Sequence, residues 1–178
     1  QDDLTDGVQW AIAQGIADPG RVCIYGASYG GYAALMSAER EPDLYRCTVG
    51  YAGVYDLDAQ RDADFADFDY GRNYLKDVYP PTKAERVGQS PAYNVDRLKA
   101  PVMLVHGDKD LRVPIKNMHF LINQMKKAGK EPDMVVVESK EAHGFRDLDN
   151  NVNLYTKMLA FFDKYIGPGA KSAQAGSP

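Results

Sequence analysis

The 178-residue chain is defined first by what it has little of. No stretch approaches the roughly 18 consecutive apolar residues of a membrane span, so no transmembrane helix and no membrane partner are expected. There is no basic excess: 21 Lys and Arg stand against 25 Asp and Glu, a net charge of −4. That balance argues against a nucleic-acid partner, whose phosphate backbone calls for a clustered positive face. The amino end carries Asp2, Asp3 and Asp6 where a signal peptide would be basic. Because the chain opens on Gln1, the lack of a leader selects no compartment, whether cytoplasmic, periplasmic or secreted. No Asn-x-Ser/Thr acceptor and no G-x-x-x-x-G-K phosphate loop occurs. Cysteine is scarce. Cys23 and Cys47 each sit in an apolar run, their spacing fits no zinc pattern, and they are read as buried free thiols.

What is present is ordinary globular material. Apolar residues make up 44% and charged residues 26%, and a chain of this size can bury roughly 70% of its unfolded surface. Periodicity alternates along it. Asp3 to Gln14 carries Leu4, Val8, Ala11 and Ile12 as a helical stripe, which Gly15 and Asp18-Pro19-Gly20 end. Arg21 to Tyr25 reads as a strand, Tyr32 to Glu39 as a helix and Cys47 to Tyr51 as a second strand. Ala100 to His106 is a third strand, apolar throughout as a doubly covered strand should be. Pro114 opens a helix over Ile115 to Lys127, Met134 to Val137 is a fourth strand, and Val152 to Ile166 a last amphipathic helix. Alternating strands and helices predict an α/β fold with a mostly parallel sheet and helices on both faces.

Two segments stand apart. Between Asp56 and Gln89, Asp56, Asp58, Asp62, Asp64, Asp67 and Asp69 interleave with Phe65, Phe68 and Tyr70. A calcium-loop register fails there because Ala66 occupies a ligand position, so no metal is expected and the segment reads as a solvated excursion. The tail over 167–178 lacks core-forming residues and is expected to be disordered.

The chemistry gathers in three loops. Gly26-Ala27-Ser28-Tyr29-Gly30 matches G-x-S-x-G and stands between a predicted strand and helix, as a nucleophile elbow requires. Such a turn exposes the Ser28 hydroxyl over a helix amino terminus, where developing negative charge is favoured. A serine hydroxyl needs an aligned base. His119 falls inside a predicted helix and reads as a surface residue, and His106 ends the third strand. His143, in a loop after the fourth strand beside Gly144, is the base of choice. Asp108 and Asp110 both follow the third strand, and either can supply the acid that orients the imidazole. Serine, acid, histidine is the chain order of α/β-hydrolases.

Three ordered segments, Gly26-Ala27-Ser28-Tyr29-Gly30-Gly31-Tyr32, His106-Gly107-Asp108-Lys109-Asp110-Leu111-Arg112-Val113-Pro114 and Glu141-Ala142-His143-Gly144-Phe145, together resemble the prolyl oligopeptidase family of serine peptidases. Within it the chain looks most like the acylaminoacyl-peptidase and dipeptidyl-peptidase-like branch, and Ser90-Pro91-Ala92-Tyr93 fits as well. The resemblance runs from residue 1 to about 166 and implies the α/β-hydrolase fold. It assigns Asp110 as the triad acid with Ser28 and His143, and the Tyr29 N–H as an oxyanion donor. Arg112 matches a position that clamps a substrate carbonyl in some members, and Val54, Tyr55 and Val113 match positions lining a specificity pocket.

The resemblance also implies what the chain lacks. Family members carry further strands, with the second oxyanion donor, before the helix that starts here, and a substrate-filtering propeller further upstream. Residues 1–166 are therefore expected to be the carboxyl-terminal part of a catalytic domain whose partner is the missing amino-terminal part, with little activity alone. The expected substrate is a short peptide and no cofactor is implied. A carboxylic ester is an alternative substrate, and a non-catalytic interaction piece an alternative of another class. Oligomeric state is left open.

Overall fold

The computed structural model describes residues 1–60 and 69–170. Helix α1 (Asp2–Ala13) leads into strand β1 (Cys23–Ala27), helix α2 (Tyr29–Arg40) and strand β2 (Cys47–Tyr51). Helices α3 (Leu57–Gln60), α4 (Asp69–Val78) and α5 (Lys83–Gly88) and two 3₁₀ turns follow. Strand β3 (Val102–Gly107), helix α6 (Lys116–Lys127), strand β4 (Met134–Glu138) and helix α7 (Leu148–Ile166) complete the order. The four strands form one parallel sheet in the order β1-β2-β3-β4, helices covering both faces.

Burial explains the strand pattern. Every residue of β2 and β3 is buried, so both strands are mostly apolar rather than alternating, with Thr48 and His106 the polar exceptions. On one face Val102 and Leu104 meet Leu35 of α2 and Met118 and Leu121 of α6. On the other, Val49, Met103, Val105 and Val136 meet Leu154, Met158 and Phe161 of α7. Each such side chain contributes roughly 2 kcal/mol by leaving water. Since all strands run the same way, the loops after Ala27, Tyr51, Gly107 and Glu138 open at one edge of the sheet.

Several boundaries differ from the sequence pattern for physical reasons. Helix α2 begins at Tyr29, not Tyr32, although Gly30 and Gly31 are poor helix formers. Gly31 is required there, since a Cβ would stand 2.8 Å from Gly53 Cα. Helix α7 begins four residues early because the Asp147 side chain accepts the Asp149 and Asn150 N–H groups at 2.9 and 3.1 Å.

Two expectations are corrected. Cys23 and Cys47 are not free thiols but a disulfide: register pairs them across β1 and β2 with Cα atoms 4.7 Å apart, within bridging range. Nor is 56–89 simply a solvated excursion. Its described residues include three helices, and Asp56, Gln60 and Arg86 are buried. Arg86 is held by Asp58 at 2.9 Å and by the Pro80 and Pro81 carbonyls. Asp62, Asp64 and Asp67, and tail residues 171–178, lie outside the described residues.

Two predictions follow from buried groups. Iodoacetamide should label neither cysteine in the native chain before reduction and both after reduction in denaturant, as read by intact mass. Glu39, 1% exposed, has no hydrogen-bond partner for either carboxylate oxygen among the described residues. Burial, reinforced by Asp96 and opposed by Arg97 and Lys130, pushes its pKa up to about 9. The unfolded chain releases this proton near pH 4.5 and the folded chain near 9, so stability falls as pH rises between those values. Urea unfolding should show Glu39→Gln gaining on the order of 3 kcal/mol over the parent between pH 5 and pH 8.

Candidate active site

The site is built where β1 turns into α2. Ser28 has φ 58° and ψ −120°, a backbone conformation that strains any residue with a Cβ. It persists because the Ser28 N–H donates to the Tyr51 carbonyl at 2.8 Å and the Ser28 carbonyl accepts the Gly31 N–H at 3.0 Å. A Cβ on Gly26 would run into the Gly30 carbonyl, which is why the pattern demands glycine there. The turn leaves Ser28 half-buried, and leaves the Tyr29 N–H at the first position of α2, without an intrahelical acceptor.

After β3 the chain folds tightly about Asp110. One carboxylate oxygen accepts the Arg112 and Val113 N–H groups, each at 2.9 Å. The other stands 2.7 Å from His143 Nδ1. A carboxylate only accepts, so Nδ1 carries the proton and Nε2 presents its lone pair. His143 Nε2 is 2.8 Å from Ser28 Oγ. Burial acts to raise the Asp110 pKa, but the His143 and Val113 donors outweigh it and hold the carboxyl below its usual range. Its side chain is fully shielded from solvent, whereas that of His143 is 20% exposed.

Other singled-out residues fall into different places. Among the described residues the Asp108 carboxylate is not bonded to His143; it accepts the Lys140 N–H at 2.8 Å and so ties the loop of Asp110 to that of His143. His106 is fully buried, and its Nε2–H donates to the Val113 carbonyl at 2.8 Å. Burial pushes its pKa down, keeping it neutral beneath Asp110. His119 is exposed on α6. Arg112 is exposed and Val54 half-buried. Tyr55 and Val113 are buried residues at 0% and 2% exposure. Tyr55 belongs to the core, its ring filling the space left by the absent side chains of Gly50 and Gly53.

Residues that sequence reasoning missed hold the loops in place. The Asn117 side chain, from α6, accepts the Tyr55 and Asp56 N–H groups at 2.7 and 3.0 Å, and Gln60 donates to the Arg112 carbonyl at 2.7 Å. The Tyr51 hydroxyl accepts the Phe145 N–H. Glu141 accepts from Arg146, Asp147 and Asn150. A polar residue on a core-facing helical position, as Asn117 is, was the one available signal. Among the described residues no group of three or more His, Cys, Asp or Glu could hold a metal ion, and no helix is long and apolar enough to cross a membrane.

Known proteins share this arrangement of chain. Residues 1–169 match the prolyl oligopeptidase family. The chain is 31% identical to dipeptidyl aminopeptidase BIII of Pseudoxanthomonas mexicana, over 96% of this chain and 25% of that protein. It is 26% identical to an acylamino-acid-releasing enzyme of Arabidopsis thaliana, over 92% of this chain and 22% of that one. A puromycin-hydrolyzing peptidase of Mycobacterium tuberculosis superposes with a TM-score of 0.81 at 28% identity, covering 93% of this chain and 25% of that structure. The chain thus spans about a quarter of the length of these relatives. Its α/β-hydrolase sheet and the match across nearly its whole length lead to one conclusion: this chain belongs to the prolyl oligopeptidase family of serine peptidases.

Proposed function

We propose that the chain carries the nucleophile, base and acid of a serine peptidase that cleaves short peptides through an acyl-enzyme on Ser28. The observation that carries this reading is the unbroken line of Ser28 Oγ, His143 Nε2, His143 Nδ1 and Asp110, with contacts of 2.8 and 2.7 Å. In the first step Ser28 Oγ attacks the scissile carbonyl while His143 Nε2 takes its proton. The charge that develops on the carbonyl oxygen meets the Tyr29 N–H and the positive end of α2. His143 then delivers the proton to the leaving amine. Water, deprotonated by the same nitrogen, cleaves the ester and restores Ser28. Asp110 holds the imidazole in its Nδ1–H tautomer and stabilises it when charged. Arg112 and Val54 are the substrate-facing candidates, since Tyr55 and Val113 are buried.

In the longest polypeptide carrying this chain, Ser28→Ala should remove fluorophosphonate labelling and lower kcat for short peptide anilides by at least about 10⁴-fold. Asp110→Asn should lower kcat by a similar factor through the wrong imidazole tautomer. An unlabelled Ser28 in the parent would sink the reading.

The 178-residue chain alone is expected to be a poor catalyst. By its resemblance the family would carry a second oxyanion donor on strands preceding the matched part, and lacking one donor costs roughly 10² to 10³ in rate. Hydrolysis of peptide anilides by the isolated chain, with Ser28→Ala as blank, measures this. A kcat matching that of a longer polypeptide refutes it.

A further inference from the structure

Glu141 lies two residues before the base, is 5% exposed, and has no role in the chemistry above. Its side chain is nonetheless saturated. One carboxylate oxygen accepts the Arg146 N–H at 2.8 Å, and the other accepts the Asp147 N–H at 3.0 Å and the Asn150 amide at 2.8 Å. Its main-chain carbonyl accepts the Lys109 N–H at 2.9 Å, one residue from Asp110. Gly107 passes so close beneath that carbonyl that any Cβ there would collide with it. Glu141 therefore joins three things: the loop that carries Asp110, the start of α7, and the segment bearing His143.

That segment needs an anchor. The Gly144 N–H donates to the Ala142 carbonyl at 2.9 Å, so His143 sits at the centre of a three-residue turn with a single internal hydrogen bond. Gly144 follows with φ +109°, a conformation open chiefly to glycine. Nothing within the turn itself dictates where the imidazole points. Its two sides are held by Glu141 before it and by Phe145, bonded to Tyr51, after it.

We propose that Glu141 is a positioning residue for the reaction: its carboxylate and carbonyl together set the distance between the Asp110 loop and the His143 turn, and so the reach of the imidazole to Ser28. The proposal rests on the serine-peptidase reading. All three partners of the carboxylate are donors, so an ionised acceptor is required. The Asn150 amide and the Arg146 and Asp147 N–H groups hold its carboxyl below the usual range, as that role needs. Glu141→Gln is nearly isosteric but turns an –NH₂ toward an N–H, which breaks the anchor without opening a cavity.

The test uses the longest polypeptide carrying this chain, with active sites titrated by a fluorophosphonate. Glu141→Gln and Glu141→Ala should lower kcat per titrated site by about 10²-fold, the effect of an imidazole misplaced by about 1 Å, with KM nearly unchanged. Asn150→Ala, which removes one donor of three, should lower it less. The far-downfield Nδ1 proton resonance of the His143–Asp110 hydrogen bond should broaden or vanish in the Glu141 variants. Variants that lose thermal stability and active fraction, yet keep parental kcat per site and that resonance, would show a purely structural role and overturn the proposal. Parental labelling and turnover in both Glu141 variants would overturn it equally. A parent unlabelled at Ser28 instead overturns the peptidase reading, and the positioning role with it.

Discussion

Between β1 and α2 the backbone has to reverse within a few residues while the two segments stay in contact, and the architecture of the site depends on that steric constraint. Gly26 leaves room for the Gly30 carbonyl, and Gly31 leaves room for Gly53. Only with both side chains absent does Ser28 occupy its φ of 58°. The strain there, of order 1–3 kcal/mol, is offset by hydrogen bonds to Tyr51 and Gly31 and by the burial of β2 and α2 behind it. The same close approach puts the Ser28 hydroxyl at the sheet edge and the α2 amino terminus beside it.

Asp110 and His143 depend on a different device, a set of loops cross-tied at the same edge. Asp108 takes the Lys140 N–H, Lys109 donates to the Glu141 carbonyl, and the Asp108 N–H donates to Glu138. These ties join the two loops independently of the Asp110 and His143 side chains, so those side chains need not hold the scaffold together. Beneath them, neutral His106 props the Val113 carbonyl while Val113 and Arg112 donate to Asp110. The negative charge of Asp110 is thereby kept buried yet fully bonded, the condition under which a shielded carboxylate is tolerable.

The two edges of the sheet differ from its centre. In β1 and β4 burial alternates or is partial, with Tyr25, Val135 and Val137 exposed at 42–44%. Exposed apolar residues continue along α1, at Leu4 and Trp10, and along α7, at Val152, Tyr155 and Leu159. The chain covers 25% of dipeptidyl aminopeptidase BIII, and the described residues bring Ser28, His143 and Asp110 together at one edge of the sheet.

Much of this was legible in the residues themselves. Strand and helix order, the strand-elbow-helix setting of Ser28, and the loops bearing Asp110 and His143 follow from period, glycine placement and the rule that parallel strands end at one edge. Those signals are local, and local signals survive in a linear string. Choosing Asp110 over Asp108 took a resemblance, since composition treats the two alike. The Cys23–Cys47 bridge depended on register, which pairs residues 24 positions apart. Tyr55 was drawn into the core by space that Gly50 and Gly53 vacate, and Asn117 and Glu141 found partners only through neighbouring elements. By itself the sequence determined which residue types stand at the sheet edge and in what order. Tertiary structure alone decided which of them touch, because a hydrogen bond depends on distances of tenths of an ångström that only packing sets.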